Sequence, residues 1–154
     1  MNRVEVLRKH IDEILLNMKD SENRRCAYLH LYGVAQSCAL LALRRGEDAE
    51  LATMAGMLHD IYTYKNGTSV DHAIRGALLA RDILETLEIA NENEIEIICG
   101  AIHNHSEKGA THCDFSELLK DADVMQHCLY NTALEIAPHE VARYEKIKKE
   151  LGIG

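Results

Sequence analysis

The chain has 154 residues, with a hydrophobic share of 47% and a charged share of 27%, which is typical of a globular protein of about one domain. Its formal net charge of -8 disfavours binding to nucleic-acid polymers or anionic membranes, because both recruit basic surfaces. No apolar run approaches the ~18 residues that predict a membrane span, and the charged N-terminal segment does not resemble a signal peptide. We therefore expect a cytoplasmic protein without membrane contact.

Helical periodicity runs through the chain, since apolar residues recur at intervals of three and four. One proline and little period-two alternation leave no evidence for strands, so an all-α bundle is predicted. No linker or repeat divides the chain, and residues 1–154 are expected to form a single domain. In chain order, the seven predicted helices cover residues 3–19, 22–45, 48–65, 70–89, 92–105, 114–131 and 138–151.

Helix-end signals support this division. Gly46 is expected to end the second helix, Asp48 to cap the third, and Pro138 to open the last. Capping-box spacing is present at two further starts, namely Asn91 with Glu94 and Asp114 with Glu117.

Polar residues interrupt the apolar pattern of successive helices. The chain has nine histidines, and histidine is the commonest side-chain metal ligand. An isolated His59-Asp60 pair is more often a partly exposed polar pair. However, several such groups buried without partners would each cost about 1–3 kcal/mol, and one shared metal centre would satisfy them together. The groups in question are His30, the adjacent His59 and Asp60, His72, His103, His105 and Asp123.

These positions resemble the HD-domain family, in which an early histidine, a His-Asp pair and a later aspartate bind metal. The matching texts are H-x-x-x-V at His30, A-G-M-L-H-D at His59 and Asp60, and L-K-D-A-D at Asp123, so that the resemblance covers about residues 22–131. It implies an HD-type helical bundle and a metal-dependent phosphohydrolase that uses a metal-activated hydroxide. It also implies that His59 and Asp60 are the catalytic pair.

Branches of the family with two metals have two more histidines, and here His72 and His105 resemble them. Asp60 would then bridge two divalent transition-metal ions, and mixed histidine and carboxylate ligands suit Fe, Mn, Zn, Co or Ni equally. His103 is the alternative to His105, although two positions apart on a helix they would face different directions. Asp121 similarly competes with Asp123.

The substrate is expected to be a small phosphate ester or anhydride, in particular a nucleotide. The chain looks most similar to the small dinuclear branch that hydrolyses symmetrical dinucleoside tetraphosphates, although H-N-H-S-E-K-G departs from the text of that branch. Lys65, Arg75 and Lys120 lie nearest the motifs and are predicted either to bind substrate phosphates or to be solvated. Two alternatives remain, namely a dinuclear iron oxygenase and a non-catalytic nucleotide-binding module that requires metal.

Overall fold

The computed structural model describes all residues from Met1 to Gly154, and helices are its only regular secondary structure. The prediction of an all-α fold is therefore confirmed. The helices are α1 (Arg3–Leu16), α2 (Ser21–Arg45), α3 (Ala49–Leu58), α4 (Ile61–Asn66), α5 (His72–Leu87), α6 (Glu92–Asn104), α7 (Asp114–Tyr130) and α8 (Pro138–Leu151).

The third predicted helix is in fact two helices, which meet at the His-Asp pair. Asp60 has φ -116° and ψ 10°, outside the α-helical region, so the helix ends after Leu58 and resumes at Ile61. Adjacent side chains on a continuous helix point about 100° apart. The backbone of Asp60 interrupts the helix. The prediction of one helix over 48–65 was therefore wrong, because periodicity does not report such a break.

Most of the predicted helix ends are present. Gly46 has the left-handed φ of 76°, the Asp48 side chain accepts from the Leu51 N–H, and Asn91 and Glu94 form a capping box. The capping box predicted at Asp114 is absent, because Cys113 occupies the N-cap position. The Glu117 carboxylate accepts instead from the His112 N–H.

The core is built around α2, which packs against α3 on one side and α7 on another. By length and composition alone, α2 is apolar enough to cross a membrane, contrary to our expectation that no segment would be. Leu31, Val34, Cys38 and Leu41 of this helix are completely buried in the core. Packing within the domain thus accounts for part of its apolar character, while Leu29, Leu40 and Leu43 are exposed.

Gly56 allows α3 to approach the backbone of α2 closely. A Cβ atom at this position would lie 2.6 Å from Cα of Ala35, nearer than real Cβ contacts occur. His30 lies on α2 and His59 directly follows α3, so this approach fixes the separation of two predicted ligands.

Candidate metal centre

Six predicted ligands from separate parts of the sequence converge on one region of the bundle. The side chains come from the middle of α2, the turn between α3 and α4, the start of α5, the residue after α6 and the middle of α7. These residues are His30, His59, Asp60, His72, His105 and Asp123.

The first half of the centre contains four of these groups. The Nε2 atom of His30 lies 3.0 Å from Nε2 of His59, 3.3 Å from Oδ2 of Asp60 and 3.5 Å from Oδ1 of Asp123. The Nε2 atom of His59 lies 3.5 and 3.6 Å from the same two oxygens. Ligand atoms about 2.1 Å from one tetrahedral ion are roughly 3.4 Å apart, so these spacings suit a shared ion.

The second half is formed around the other oxygen of Asp60. Its Oδ1 atom lies 3.2 Å from Nε2 of His105 and 3.6 Å from Nε2 of His72. The two oxygens of this carboxylate thus face two different sets of histidines. Each oxygen of Asp60 thus lies where it could contact a separate cation.

Hydrogen bonds fix the orientation of these histidines. The Nδ1 atoms of His59, His72 and His105 each lie 2.6–3.0 Å from the carbonyl oxygen three residues earlier. A carbonyl can only accept, so each Nδ1 donates the proton and each Nε2 presents a lone pair to the centre. His30 reaches the side-chain oxygen of Gln126 in the same way, at 2.7 Å.

Two observations indicate that the centre fits a cation. The Nε2 atoms of His30 and His59 lie 3.0 Å apart while the Nδ1 atom of each ring faces an oxygen, so the two Nε2 atoms need a shared proton or cation between them. Oδ1 of Asp60 and Oδ1 of Asp123 are buried and have no hydrogen-bond partner. Buried polar atoms are rarely left in this state in native proteins.

The electrostatics of the centre favour anionic carboxylates at Asp60 and Asp123 and a neutral ring at His59. Burial acts to raise the pKa of Asp60, but His59 and His105 outweigh it and hold that pKa well below its usual range. Burial likewise acts to raise the pKa of Asp123, but His59 and Lys108 outweigh it and hold that pKa well below its usual range. Burial lowers the pKa of His59, which keeps its ring neutral.

The competing residues lie elsewhere. The side chain of His103 is exposed, whereas that of His105 is buried in the centre. Asp121 is also buried, but its carboxylate pairs with Arg45 and Arg143 at 2.6 and 2.7 Å. In each pair the two residues are only two positions apart, yet one lies in the centre and the other lies outside it.

The three basic residues predicted to bind substrate differ in their positions. Lys65 is exposed on α4, and Arg75 is exposed on α5 with its guanidinium donating to the Tyr62 hydroxyl at 3.2 Å. Lys120 contradicts the prediction, because it is completely buried. Its Nζ atom donates to the Ala110 carbonyl and to Glu117, so it closes the loop after α6 onto α7.

Lys108 is the basic residue that sequence reasoning missed. Its Nζ atom lies 2.5 Å from Oδ2 of Asp123 and 3.0 Å from the carbonyl of His105. Lys108 also lines a cavity of about 420 Å³. Asp60 and His72 line the same cavity, and none of its lining residues is hydrophobic. The only signal in the sequence was its position three residues after His105.

Comparisons with known proteins identify the family of this chain. Residues 27–128 match the family model described as HD domain. Ribonuclease Y of Lawsonia intracellularis is 32% identical over 129 residues, which are 80% of this chain and 22% of that protein. Ribonuclease Y of Staphylococcus epidermidis is 30% identical over 120 residues, which are 77% of this chain and 21% of that protein. The chain thus spans about a fifth of the length of these curated relatives.

A solved structure has a similar fold. The crystal structure of a predicted HD superfamily hydrolase from an uncultured Thermotogales bacterium superposes with a TM-score of 0.63. The superposition covers 96% of this chain and 88% of that chain, at 22% sequence identity. At this identity the similarity concerns the fold alone.

Proposed function

The chain belongs to the HD-domain family, and from this membership and its converging ligands we propose that it is a metal-dependent phosphohydrolase of small phosphate esters or anhydrides, in particular nucleotides. One observation carries the proposal. The two oxygens of Asp60 face two histidine sets, at 3.3–3.5 Å on one side and 3.2–3.6 Å on the other. Such a carboxylate suits two ions that act on one phosphoryl group.

The proposed ligands divide into two sets, one for each ion. His30, His59, Asp60 and Asp123 would hold the first, and Asp60 with His72 and His105 would hold the second. Divalent ions bound there supply Lewis acidity and lower the pKa of a bound water towards neutrality. The ligands contain no thiolate, so Fe, Mn, Zn, Co and Ni all suit the donor set.

The cavity beside the centre is suited to a small charged substrate. Its volume of about 420 Å³ falls within the range of small-molecule sites, and Lys108 places an ammonium group beside Asp123. We therefore assign phosphate binding to Lys108 in place of the buried Lys120. A dinucleoside polyphosphate is our first choice of substrate, from the resemblance of the motifs, and a nucleoside monophosphate is the second.

A phosphodiester in RNA is a second candidate substrate, because the relatives at 30–32% identity are named ribonuclease Y. The net charge of -8 favours the small nucleotide, because a negative surface opposes association with a polyanion.

The test is an assay of phosphate or nucleotide release from dinucleoside polyphosphates, nucleoside monophosphates, simple monoesters and a short oligoribonucleotide. Manganese, cobalt, nickel, zinc or ferrous iron is supplied under argon, and the iron assay is repeated in air. Asp60→Asn should abolish turnover, whereas His103→Ala should retain it because His103 is exposed. Turnover that requires both iron and oxygen would establish the oxygenase instead. Nucleotide binding without turnover under any condition would establish a binding module.

A further inference from the structure

His127 lies beside the first half of the centre and matches none of the motif positions. It follows Asp123 by one helical turn on α7, and its Nε2 atom lies 3.5 Å from Oδ1 of Asp123. The same oxygen lies 3.5 Å from Nε2 of His30 and 3.6 Å from Nε2 of His59. Three imidazole nitrogens therefore surround one buried carboxylate oxygen at nearly equal distances.

The distance of 3.5 Å between Nε2 of His127 and Oδ1 of Asp123 shows whether the contact is a hydrogen bond or a pair of ligands to one ion. N–H···O hydrogen bonds are 2.7–3.2 Å long, and Oδ1 of Asp123 has no hydrogen-bond partner although His127 is adjacent. Two atoms that each lie about 2.1 Å from the same ion are instead roughly 3.0–3.6 Å apart, for ligand–metal–ligand angles of about 90–120°. His127 also lies parallel to His30, with the ring planes 13° apart and the centroids separated by 5.1 Å.

Glu140 orients the His127 ring. Its Oε1 atom lies 2.8 Å from Nδ1 of His127, and the carboxylate is buried at the start of α8 with 6% of the residue exposed. Ligating histidines commonly donate their second ring nitrogen to a carboxylate, which fixes the ring and strengthens the ligand. The Nδ1 atoms of the other four histidines in the centre make the equivalent bond to carbonyl oxygens.

We propose that His127, oriented by Glu140, is a fifth protein ligand in the first half of the centre. This inference rests on the proposed metal site. The first ion would then have three histidines and two aspartates, whereas the second would have two histidines and the shared Asp60. Five protein ligands favour a metal that accepts five or six ligands, such as manganese, iron, cobalt or nickel, over tetrahedral zinc.

The competing role for the pair is structural, since the His127–Glu140 bond also joins α8 to α7. The experiment uses the full chain after chelator treatment and titrates it with cobalt(II), by calorimetry and by visible absorption. The variants are His127→Ala, the milder His127→Gln, and Glu140→Gln. His139→Ala is the matched control, because His139 lines the same cavity and is exposed.

We expect both His127 variants and Glu140→Gln to weaken the tighter cobalt site by about 10–100-fold. Loss of His127 should also change the visible spectrum through a lower coordination number, and His139→Ala should change neither quantity. Unchanged cobalt affinity and spectrum in both His127 variants, with only the metal-free melting temperature lowered, would overturn the fifth ligand and leave the metal centre intact. Failure of the wild-type chain to bind cobalt would refute the centre itself, and this ligand with it.

Discussion

Asp121 and Asp123 provide a matched pair of substitutions on α7. Asp121 is 1% exposed and accepts from Arg45 at 2.6 Å and from Arg143 at 2.7 Å. Removal of one partner from a buried ion pair costs about 3–5 kcal/mol. Each arginine retains a second carboxylate, Glu150 or Glu117, at 2.8 Å, so we expect Asp121→Asn to cost about 3 kcal/mol. For a domain of this size that lowers the melting temperature by roughly 6–12 °C.

Asp123→Asn should instead change the stability that bound metal provides. An ion present at 100 times its dissociation constant stabilises the fold by about 2.7 kcal/mol, or roughly 5–11 °C in melting temperature. Asp121→Asn should retain this gain, because Asp121 faces the arginines and not the centre. Asp123→Asn should lose most of it, because the substitution removes one of the carboxylates of the first half.

The measurement is thermal unfolding of both variants by circular dichroism, after chelator treatment, with and without added cobalt or manganese. A metal-dependent shift that persists in Asp123→Asn and disappears in Asp121→Asn would refute the assignment of the two carboxylates. Asp121→Asn with wild-type stability in the absence of metal would refute the importance of the ion pairs.

Three further predictions concern packing, substrate and pH. Gly56→Ala should cost about 1–3 kcal/mol in urea unfolding because its Cβ would meet Ala35, whereas Gly100→Ala, with open space around it, should gain about 0.5–1 kcal/mol. Lys108→Ala should raise KM more than it lowers kcat, and Lys65→Ala, on an exposed residue, should leave both nearly unchanged.

Metal affinity, measured by calorimetry, should fall from mildly alkaline to mildly acidic pH. Burial acts to lower the pKa of His30, but Asp60 and Asp123 outweigh it and raise that pKa above 6.5, so a proton competes with the ion. In the metal-free protein, the proton on His30 stabilises the fold fully below pH 6.5. This stabilisation is lost as the pH rises through the raised pKa of His30. An affinity that is independent of pH over this range would contradict the assignment of His30 as a ligand.

Much of the centre could be predicted because its ligands interrupt apolar helices, where a polar residue needs a partner. His30 and Asp123 were recognisable in this way, and helical periodicity sufficed for the all-α fold. The directions of the lysine side chains near the centre were harder to predict. Lys120 lies three residues before Asp123, yet it faces the loop after α6, and Lys108 enters the centre from that loop. Loop conformation has no period, so spacing could not distinguish the two lysines.

The two faces of α7 explain how the fold tolerates the centre. One face presents Asp123, a buried anion with an oxygen that lacks a hydrogen-bond partner, which is costly in the absence of a cation. The other presents Asp121, whose carboxylate is fully paired by arginines from α2 and α8. The paired face holds the helix in place independently of metal. The face towards the centre can therefore keep lone pairs unsatisfied, as a ligand set must until an ion binds.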